Sequence, residues 1–243
     1  MSLSKNFFSR HLSPDKTRKS HLDYIVREKG NLNIHFIQTD TPGVSNARNI
    51  GINESKGENI FFLDDDDFLS PVCLEELIGL QNGDAVIECY PFAFEDGDKT
   101  ITQQKYGLTN VYDYCTVHGC KQLNSTARKF FSGPCMKLIP STYIGERRFD
   151  TRFKNGEDSL FMFSISDRIN IIEYTSNNAI YYRRYRKGSA TTSSRSKKEH
   201  IKNIIRCMKG YSSFYFKGGY STYFYISRIL AEIKCLVQVI LKG

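Results

Sequence analysis

Short apolar runs alternate with helical patterns along the first half of the chain, and polar, turn-forming residues separate them. In chain order they predict a strand over Asn33–Gln38, a helix over 45–54, a strand over Glu58–Leu63, a helix with Pro71 in its first turn, and a strand over Asp84–Phe92. Pro42 and Gly43 break the chain before the first helix, and Gly57 ends it. This alternation favours an α/β fold, with a mainly parallel sheet flanked by helices.

The last part of the chain has apolar residues at helical spacing. These residues are Ile226, Ile229, Leu230, Ile233, Leu236, Val237, Ile240 and Leu241. They predict a C-terminal helical extension, for which three roles are open. The helix packs on the rest of the protein, or it lies on the inner face of the plasma membrane, or it joins two copies in a homodimer. The tyrosines and lysine of the preceding GYSSFYFKGGYSTYFY favour the membrane alternative.

Composition argues against several classes of protein. The chain has 243 residues, 40% hydrophobic and 25% charged, as in ordinary globular proteins. A tract of about 18 apolar residues is absent, so no transmembrane helix is expected. The N-terminal MSLSKNFFSRHLS lacks the apolar region of a secretory signal. The seven cysteines include no Cys-x-x-Cys pair, which predicts reduced thiols in a cytoplasmic protein.

Four consecutive aspartates, Asp64–Asp67, follow the predicted strand Glu58–Leu63 in a chain with a net charge of +8. Such a run is a solvated turn, the acidic first turn of a helix, or a cation site. Open α/β sheets bind ligands beyond the carboxyl ends of their strands, which favours the cation site. In an extended segment, Asp64 and Asp66 project to one side and Asp65 to the other. The first two are candidate ligands of Mn²⁺ or Mg²⁺, whose coordination shell substrate phosphates usually complete.

Residues 183–198, RRYRKGSATTSSRSKK, are rich in lysine and arginine and contain no acid. A run of this kind is most often a solvated surface, but it also attracts phosphates and anionic membranes. The chain has no helix-turn-helix, zinc-finger or aromatic RNA-binding pattern, so nucleic acid is not an expected partner. The basic segment is therefore a candidate for contacts with an anionic small molecule or a lipid surface.

Several blocks of sequence resemble the family 2 glycosyltransferases, which have the Rossmann-like GT-A fold. In GVSNARNIGINESKGENIFFLDDDDFLSP, a Gly-x-Ser-x-Ala-Arg-Asn helix precedes a strand that ends in an Asp-x-Asp motif. In RRFDTRFKNGEDSLFMF, a Gly-Glu-Asp motif precedes an apolar helix, and the earlier GPCMKLIPSTYI is also similar. A further block is YYRRYRKGSATTS. Their order and spacing, over residues 43–193, make the resemblance specific.

The resemblance implies transfer of a sugar from a nucleotide-diphosphate donor, with UDP as the expected nucleotide, to a hydroxyl of a glycan or lipid-linked glycan. It implies that Asp64 and Asp66 hold a metal that offsets the charge of the departing diphosphate. Asp67 is a further ligand or holds a water. Asp158 is the general base that takes the acceptor's proton, and Glu157 positions the acceptor or the base. Attack from the face opposite the diphosphate inverts the anomeric centre.

Donor binding is assigned to a further set of residues in the same picture. These residues are Asp65, Arg183, Arg186, Ser189 and Thr191, together with Arg48. The two arginines at 183 and 186 suit phosphate oxygens because their donors form a fork, and their segment is expected to close over the diphosphate. For Arg48 two roles are open, a contact with a phosphate and a contact inside the fold.

The resemblance is incomplete at the N-terminus. RHLSPDKT resembles the end of the family's second block, with Arg10 and His11 in place of two aspartates. A preceding strand and helix of about 30 residues are missing. We therefore expect an incomplete nucleotide-sugar and metal-binding half over 1–105, an acceptor-binding and catalytic half over 106–193, and the helical extension over 194–243.

Two other functions are weighed against sugar transfer. The first is a degenerate protein with the GT-A fold that binds glycans or partner proteins without catalysis, which the missing N-terminal unit favours. The second is a metal-dependent phosphodiesterase, because acidic clusters with Mg²⁺ also serve that chemistry. The second function leaves the Gly-Glu-Asp and YYRRYRKGSATTS blocks unexplained.

Overall fold

A computed structural model describes residues 34–96, 101–104, 106–153, 155–185 and 196–241. Its strands are β1 (Asn59–Phe61), β2 (Phe68–Leu69), β3 (Ala85–Glu88), β4 (Tyr90–Asp96), β5 (Ile101–Gln103), β6 (Lys137–Pro140), β7 (Ile171–Tyr174) and β8 (Ile180–Arg184). Its helices are α1 (Val44–Glu54), α2 (Cys73–Gly79), α3 (Gly107–Val117), α4 (Ser141–Ile144), α5 (Glu157–Ile165), α6 (Lys197–Tyr215) and α7 (Thr222–Leu241). The segments Ala127–Ser132 and Ser166–Arg168 are 3₁₀ helices.

The strands form two sheets, with the orders β1-β6-β3-β7 and β2-β8-β4-β5. Of the neighbouring pairs, β3–β7 and β4–β8 are parallel, and the others among the described strands are antiparallel. The α/β class is confirmed, but the pairing is mixed where the alternation of elements predicted a mainly parallel sheet. The main cause is β6, which lies antiparallel between β1 and β3, since a local pattern specifies neither the neighbour nor the direction of a strand.

Most elements around the aspartates lie where the pattern predicts them. The helix expected over 45–54 is α1, the strand expected over Glu58–Leu63 contains β1, and the helix after Pro71 is α2. Residues 34–38 are the exception, because the structure assigns no strand there. A short apolar run becomes a strand only where a neighbouring backbone pairs with it along its length, and that neighbour is not encoded locally.

Aromatic side chains fill the core between the sheets and the helices. Tyr112, Tyr181, Phe94, Phe130, Phe131, Phe161 and Phe163 are all buried to 1% exposure or less. Phe149 stacks on Phe161 of α5 with ring centroids 3.8 Å apart. Because large aromatic rings bury much apolar area and pack in preferred geometries, these contacts hold the segments next to the aspartates in place.

Helices α6 and α7 form an antiparallel hairpin, which we call the C-terminal hairpin. Lys197 at the start of α6 donates a hydrogen bond to the carbonyl of Ile240 near the end of α7 (3.2 Å). Phe224, Ser227 and Arg228 on the inner side of α7 are buried. Phe224 of α7 stacks with Phe163 of α5 (ring centroids 5.4 Å apart), so the C-terminal helix packs on the rest of the protein, which is one of the three roles left open.

The outer side of α7 is apolar and exposed. Its residues are Tyr223, Ile226, Leu230, Ile233, Val237, Ile240 and Leu241. Within the described part of the chain, no helix is both long and apolar enough to cross a membrane. Peripheral contact with a membrane and pairing with a second copy both remain predictions for this surface.

Candidate active site

The aspartates at the end of β1 form a tight turn, the aspartate turn (Asp64–Asp67). The N–H of Asp67 donates to the carbonyl of Asp64 (3.1 Å), which closes the turn. Phe62, which precedes it, is buried and bridges to Cys135. The local sequence explains the placement, because the buried apolar strand must end where consecutive carboxylates reach water.

Asp67 is held by strand β8. Its Oδ2 accepts a hydrogen bond from the hydroxyl of Tyr181 (2.7 Å), and its Oδ1 accepts one from the backbone N–H of Arg184 (2.8 Å). The same Tyr181 hydroxyl accepts a bond from the N–H of Asp64 (3.2 Å). Burial raises the pKa of Asp67 to about 6, against the lowering effect of these hydrogen bonds. These contacts form a clasp between the turn and β8. The expectation that Asp67 is a further metal ligand or holds a water stays a prediction.

Removing the Tyr181 hydroxyl tests this clasp. Tyr181→Phe leaves the partly buried Asp67 without one of its donors, and we expect the free energy of unfolding to fall by about 1–3 kcal/mol. Urea denaturation measures the loss. Tyr182→Phe, next to it in β8, is the matched control and should change stability by less than about 0.5 kcal/mol. Equal losses in the two variants would contradict the clasp.

Arg48 joins the aspartate turn to the Gly-Glu-Asp motif. Its Nη2 donates to Oδ1 of Asp64 (2.9 Å), and its Nη1 donates to Oδ1 of Asp158. The Arg48 side chain is only 11% exposed and lies over the ring of Phe149. Burial alone would lower its pKa, but the carboxylates of Asp158 and Asp64 raise it, so Arg48 keeps its charge. Of the two roles left open for Arg48, the contact inside the fold is present, and the contact with a phosphate stays a prediction.

Helix α1 carries Arg48 to this position and is itself fixed to the segment before the Gly-Glu-Asp motif. The side-chain amide of Asn49 donates to the carbonyl of Phe149 (2.8 Å), and the N–H of Phe149 donates back to Asn49 Oδ1 (2.8 Å). The helix begins after Gly43, whose φ of 125° favours glycine. In the Ala-Arg-Asn part of the first block, Arg48 therefore contacts the acids of the site, and Asn49 fixes α1 to the segment around Phe149.

Asp158 lies in the first turn of α5, where a carboxylate is favourable. Gly156 precedes the helix with a φ of 81°, a left-handed conformation that glycine adopts without strain. Burial raises the pKa of Asp158, while Arg48 opposes that shift. The side chain remains 31% exposed. Glu157, beside it, is buried at 8% exposure, so of the two acids only Asp158 faces the pocket described next.

A pocket of about 250 Å³ brings these groups together. It is lined by Asp64, Asp67, Tyr106, Leu108, Phe130, Ser132, Gly133, Pro134, Cys135, Met136, Lys137, Asp158 and Arg183. Of the expected metal ligands, Asp64 and Asp67 line the pocket, whereas Asp66 is not among the lining residues, and neither is Asp65. We call residues 130–137, most of which line the pocket, the pocket wall; it lies beside Asp158, since a Cβ on Gly133 would be 3.9 Å from Asp158 Oδ2.

Arg183 is the residue of β8 that lines the pocket. Its Nη1 donates to the hydroxyl of Tyr106 (3.1 Å), and its guanidinium lies over the rings of Tyr106 (5.6 Å) and Tyr185 (5.5 Å). Aromatic faces hold a guanidinium without neutralising its charge. The other residues predicted to close over the donor, Arg186, Ser189 and Thr191, lie outside the described residues.

Sequence reasoning missed the tyrosines and the buried lysine of this site. Tyr181, Tyr106 and Lys137 gave no signal of their own, although Tyr181 and Lys137 fall inside blocks already noted for their resemblance. Met136, in the pocket wall, has a φ of 68°, unusual for a residue with a side chain. That conformation depends on the surrounding fold, so the local sequence does not predict it.

Comparisons with known proteins show the family of this chain. Residues 12–137, over half of the chain, match the family model described as Glycosyl transferase family 2. The chain belongs to this family. The match ends before Asp158, so the assignment of the family rests on the half that contains the aspartate turn. Membership in a family of glycosyl transferases removes the support for the phosphodiesterase alternative.

Individual relatives extend the comparison. The minor teichoic acid biosynthesis protein GgaB of Bacillus subtilis (strain 168) is 26% identical over 152 residues, which are 60% of this chain and 16% of GgaB. S. aureus TarS 1–349 in complex with UDP-GlcNAc superposes with a TM-score of 0.59 and 18% identity, over 83% of this chain and 55% of TarS 1–349. The same protein in complex with UDP gives a TM-score of 0.57 and 17% identity over 83% and 54%. The chain shares the fold of TarS and spans about half of that structure.

Proposed function

We propose that this protein transfers a sugar from a nucleotide-diphosphate donor, UDP in the first instance, to a hydroxyl of a glycan or lipid-linked glycan. The observation that carries the proposal is the Arg48 bridge, which draws Asp64 and Asp158 to one pocket from two separate family-like blocks. Support for the substrate class comes from the names of the relatives: GgaB acts in teichoic acid synthesis, and TarS was crystallised with UDP and with UDP-GlcNAc.

In this proposal Asp158 is the general base. A hydroxyl is a poor nucleophile until its proton is removed, and a carboxylate within hydrogen-bond reach can accept that proton. The acceptor hydroxyl would approach Asp158 from the pocket that Asp158 and Gly133 both line. Arg48 keeps Asp158 oriented through its ion pair, and it opposes the rise in the pKa of Asp158 that burial causes. Attack by the hydroxyl as the diphosphate leaves from the opposite face gives inversion.

The part of the pocket next to Asp64 suits a divalent cation that is coordinated both by the protein and by the donor's phosphates. Asp64 faces the pocket, and its side chain is 44% exposed. In the described residues, no group of three or more His, Cys, Asp or Glu side chains is arranged as a complete metal cage. Mg²⁺ and ions like it are commonly held by one or two carboxylates together with substrate phosphates. Asp64, which lines the pocket, and Asp66, two residues later in the same turn, would hold Mn²⁺ or Mg²⁺, which would supply positive charge beside the departing diphosphate.

A thermal-shift experiment with UDP tests donor binding. A ligand that binds only the folded state at 100 times its dissociation constant adds about 2.7 kcal/mol. For a chain of this size we expect the melting temperature to rise by about 5–10 °C with UDP and Mn²⁺ together. GDP, CDP and dTDP, each with and without Mn²⁺, complete the panel and identify the base.

Two aspartate variants make this experiment specific. Asp66→Ala should lose the metal-dependent shift, whereas Asp84→Ala, an exposed aspartate in the turn before β3, should keep it. The absence of a shift for every nucleotide, in a folded wild-type protein, would contradict the proposed transferase. It would favour the degenerate protein that binds glycans or partner proteins without catalysis.

A further inference from the structure

The C-terminal hairpin contacts the segment that carries Asp158. Asn203 of α6 donates from its side-chain amide to the carbonyl of Asn155 (2.7 Å). The hydroxyls of Tyr211 and Ser159 share a hydrogen bond of 2.6 Å. Asn155 precedes Gly156 and Ser159 follows Asp158. Helix α6 therefore contacts the chain on both sides of the segment that carries Asp158.

The packing at this contact is too close for any residue but glycine. A Cβ on Gly156 would lie 2.6 Å from Sγ of Cys207 on α6, a distance that real Cβ atoms do not adopt. Cys207 is 1% exposed and Tyr211 is 1% exposed. The left-handed turn at Gly156 therefore meets α6 directly, and the direction in which α5 starts depends on where α6 lies.

The same hairpin also contacts the pocket wall, through Arg228. This arginine of α7 is 8% exposed, lies over the ring of Phe224 (4.9 Å), and donates from Nη2 to the carbonyl of Phe131. Phe131 belongs to the pocket wall and precedes Ser132 and Gly133, which line the pocket. A buried guanidinium is costly to desolvate, and the hydrogen bond to the carbonyl of Phe131 offsets part of that cost while it joins α7 to the wall.

We propose that the C-terminal hairpin is a positioning element of the active site. Tyr211 and Asn203 fix the turn that presents Asp158, and Arg228 fixes the pocket wall beside it. The hairpin lies beyond residues 12–137, the region that matches the family model. The proposal rests on the role given to Asp158 above, and its consequence is that α6 and α7 set the distance between the base and the acceptor's side of the pocket.

The test removes one hydroxyl. Tyr211→Phe loses the bond to Ser159 and keeps the ring, whereas the control Tyr215→Phe loses the hydroxyl that bonds to Thr222 within the same hairpin (3.0 Å). Amide hydrogen exchange of residues 156–160 is the first measurement. We expect exchange in this segment to become faster in Tyr211→Phe and to stay at the wild-type rate in Tyr215→Phe. Unchanged exchange in Tyr211→Phe would overturn the proposal.

The second measurement is UDP release from UDP-GlcNAc with Mn²⁺ and water as acceptor. Small displacements of a catalytic group are costly, so we expect kcat to fall by about 10-fold in Tyr211→Phe with KM unchanged. A rise in KM at constant kcat would show that the hairpin supports only donor binding, which contradicts the proposal. If the proposed function is wrong, the wild-type protein will neither bind UDP nor release it from UDP-GlcNAc. In that case the hydrogen-exchange measurement alone tests whether the C-terminal hairpin positions residues 156–160.

Discussion

Replacing Asp158 with asparagine is expected to abolish sugar transfer while leaving UDP binding intact. The amide keeps the size of the carboxylate and can still contact Arg48, but it cannot accept the acceptor's proton. General base catalysis contributes about 10²–10⁴-fold, so kcat should fall by that factor. The measurement is initial-rate kinetics with UDP-GlcNAc, combined with the thermal shift that UDP and Mn²⁺ produce.

An exposed aspartate away from the pocket provides the control. Asp113 on α3 is exposed, so Asp113→Asn should change kcat by less than about twofold. If Asp158→Asn retained the wild-type kcat, Asp158 would not be the base. If the variant lost UDP binding together with activity, the role of Asp158 would be to organise the donor side through Arg48.

Removing the positive charge of Lys137 is expected to cause the largest loss of stability. Lys137 is 1% exposed and lies 3.4 Å from Oε2 of Glu88, which is fully buried, and it also donates to the carbonyl of Cys135 (3.0 Å). Lys137→Met leaves the Glu88 carboxylate in the core without its cation. Breaking a buried pair in this way costs about 3–5 kcal/mol, measured by urea denaturation at pH 8.

The loss should depend on pH, with a sign that follows from Glu88. Burial raises the pKa of Glu88 to about 7 from an ordinary 4.5, against the lowering effect of Lys137. A carboxyl group with a raised pKa in the folded state makes the protein less stable as the pH rises from about 4.5 to about 7. Without Lys137 the pKa of Glu88 rises further, so Lys137→Met should be closest to wild-type stability near pH 5 and furthest from it at pH 8.

A double variant separates the charge from the packing. Glu88→Leu combined with Lys137→Met removes both charges, and it should recover most of the stability, because a buried ion pair is often replaceable by apolar side chains. Lys121→Met, at an exposed lysine, serves as the control and should be nearly neutral. A double variant as unstable as Lys137→Met alone would show that packing around the lysine stem, and not the buried charge, decides the loss.

The sequence by itself determined the features that depend on neighbouring residues. A short apolar run followed by four aspartates has to end as a buried strand with carboxylates at the surface, and Asp64–Asp67 form that turn. Helices α1 and α2 begin and end close to their glycine and proline signals. The motifs also predicted the family, which the match over residues 12–137 confirms. All of these features are encoded within a few residues of where they appear.

Only the tertiary structure decided how those parts meet. Arg48 had two open roles, and its contacts with Asp64 and Asp158 depend on how α1 packs against the start of α5. The sequence did not indicate that Asp67 contacts Tyr181, because that hydrogen bond depends on how β8 packs against the aspartate turn. The antiparallel entry of β6 brings Lys137 to Glu88 in the core. Each of these contacts joins residues far apart in the chain, so its energy depends on long-range packing that no local pattern of apolar and polar residues records.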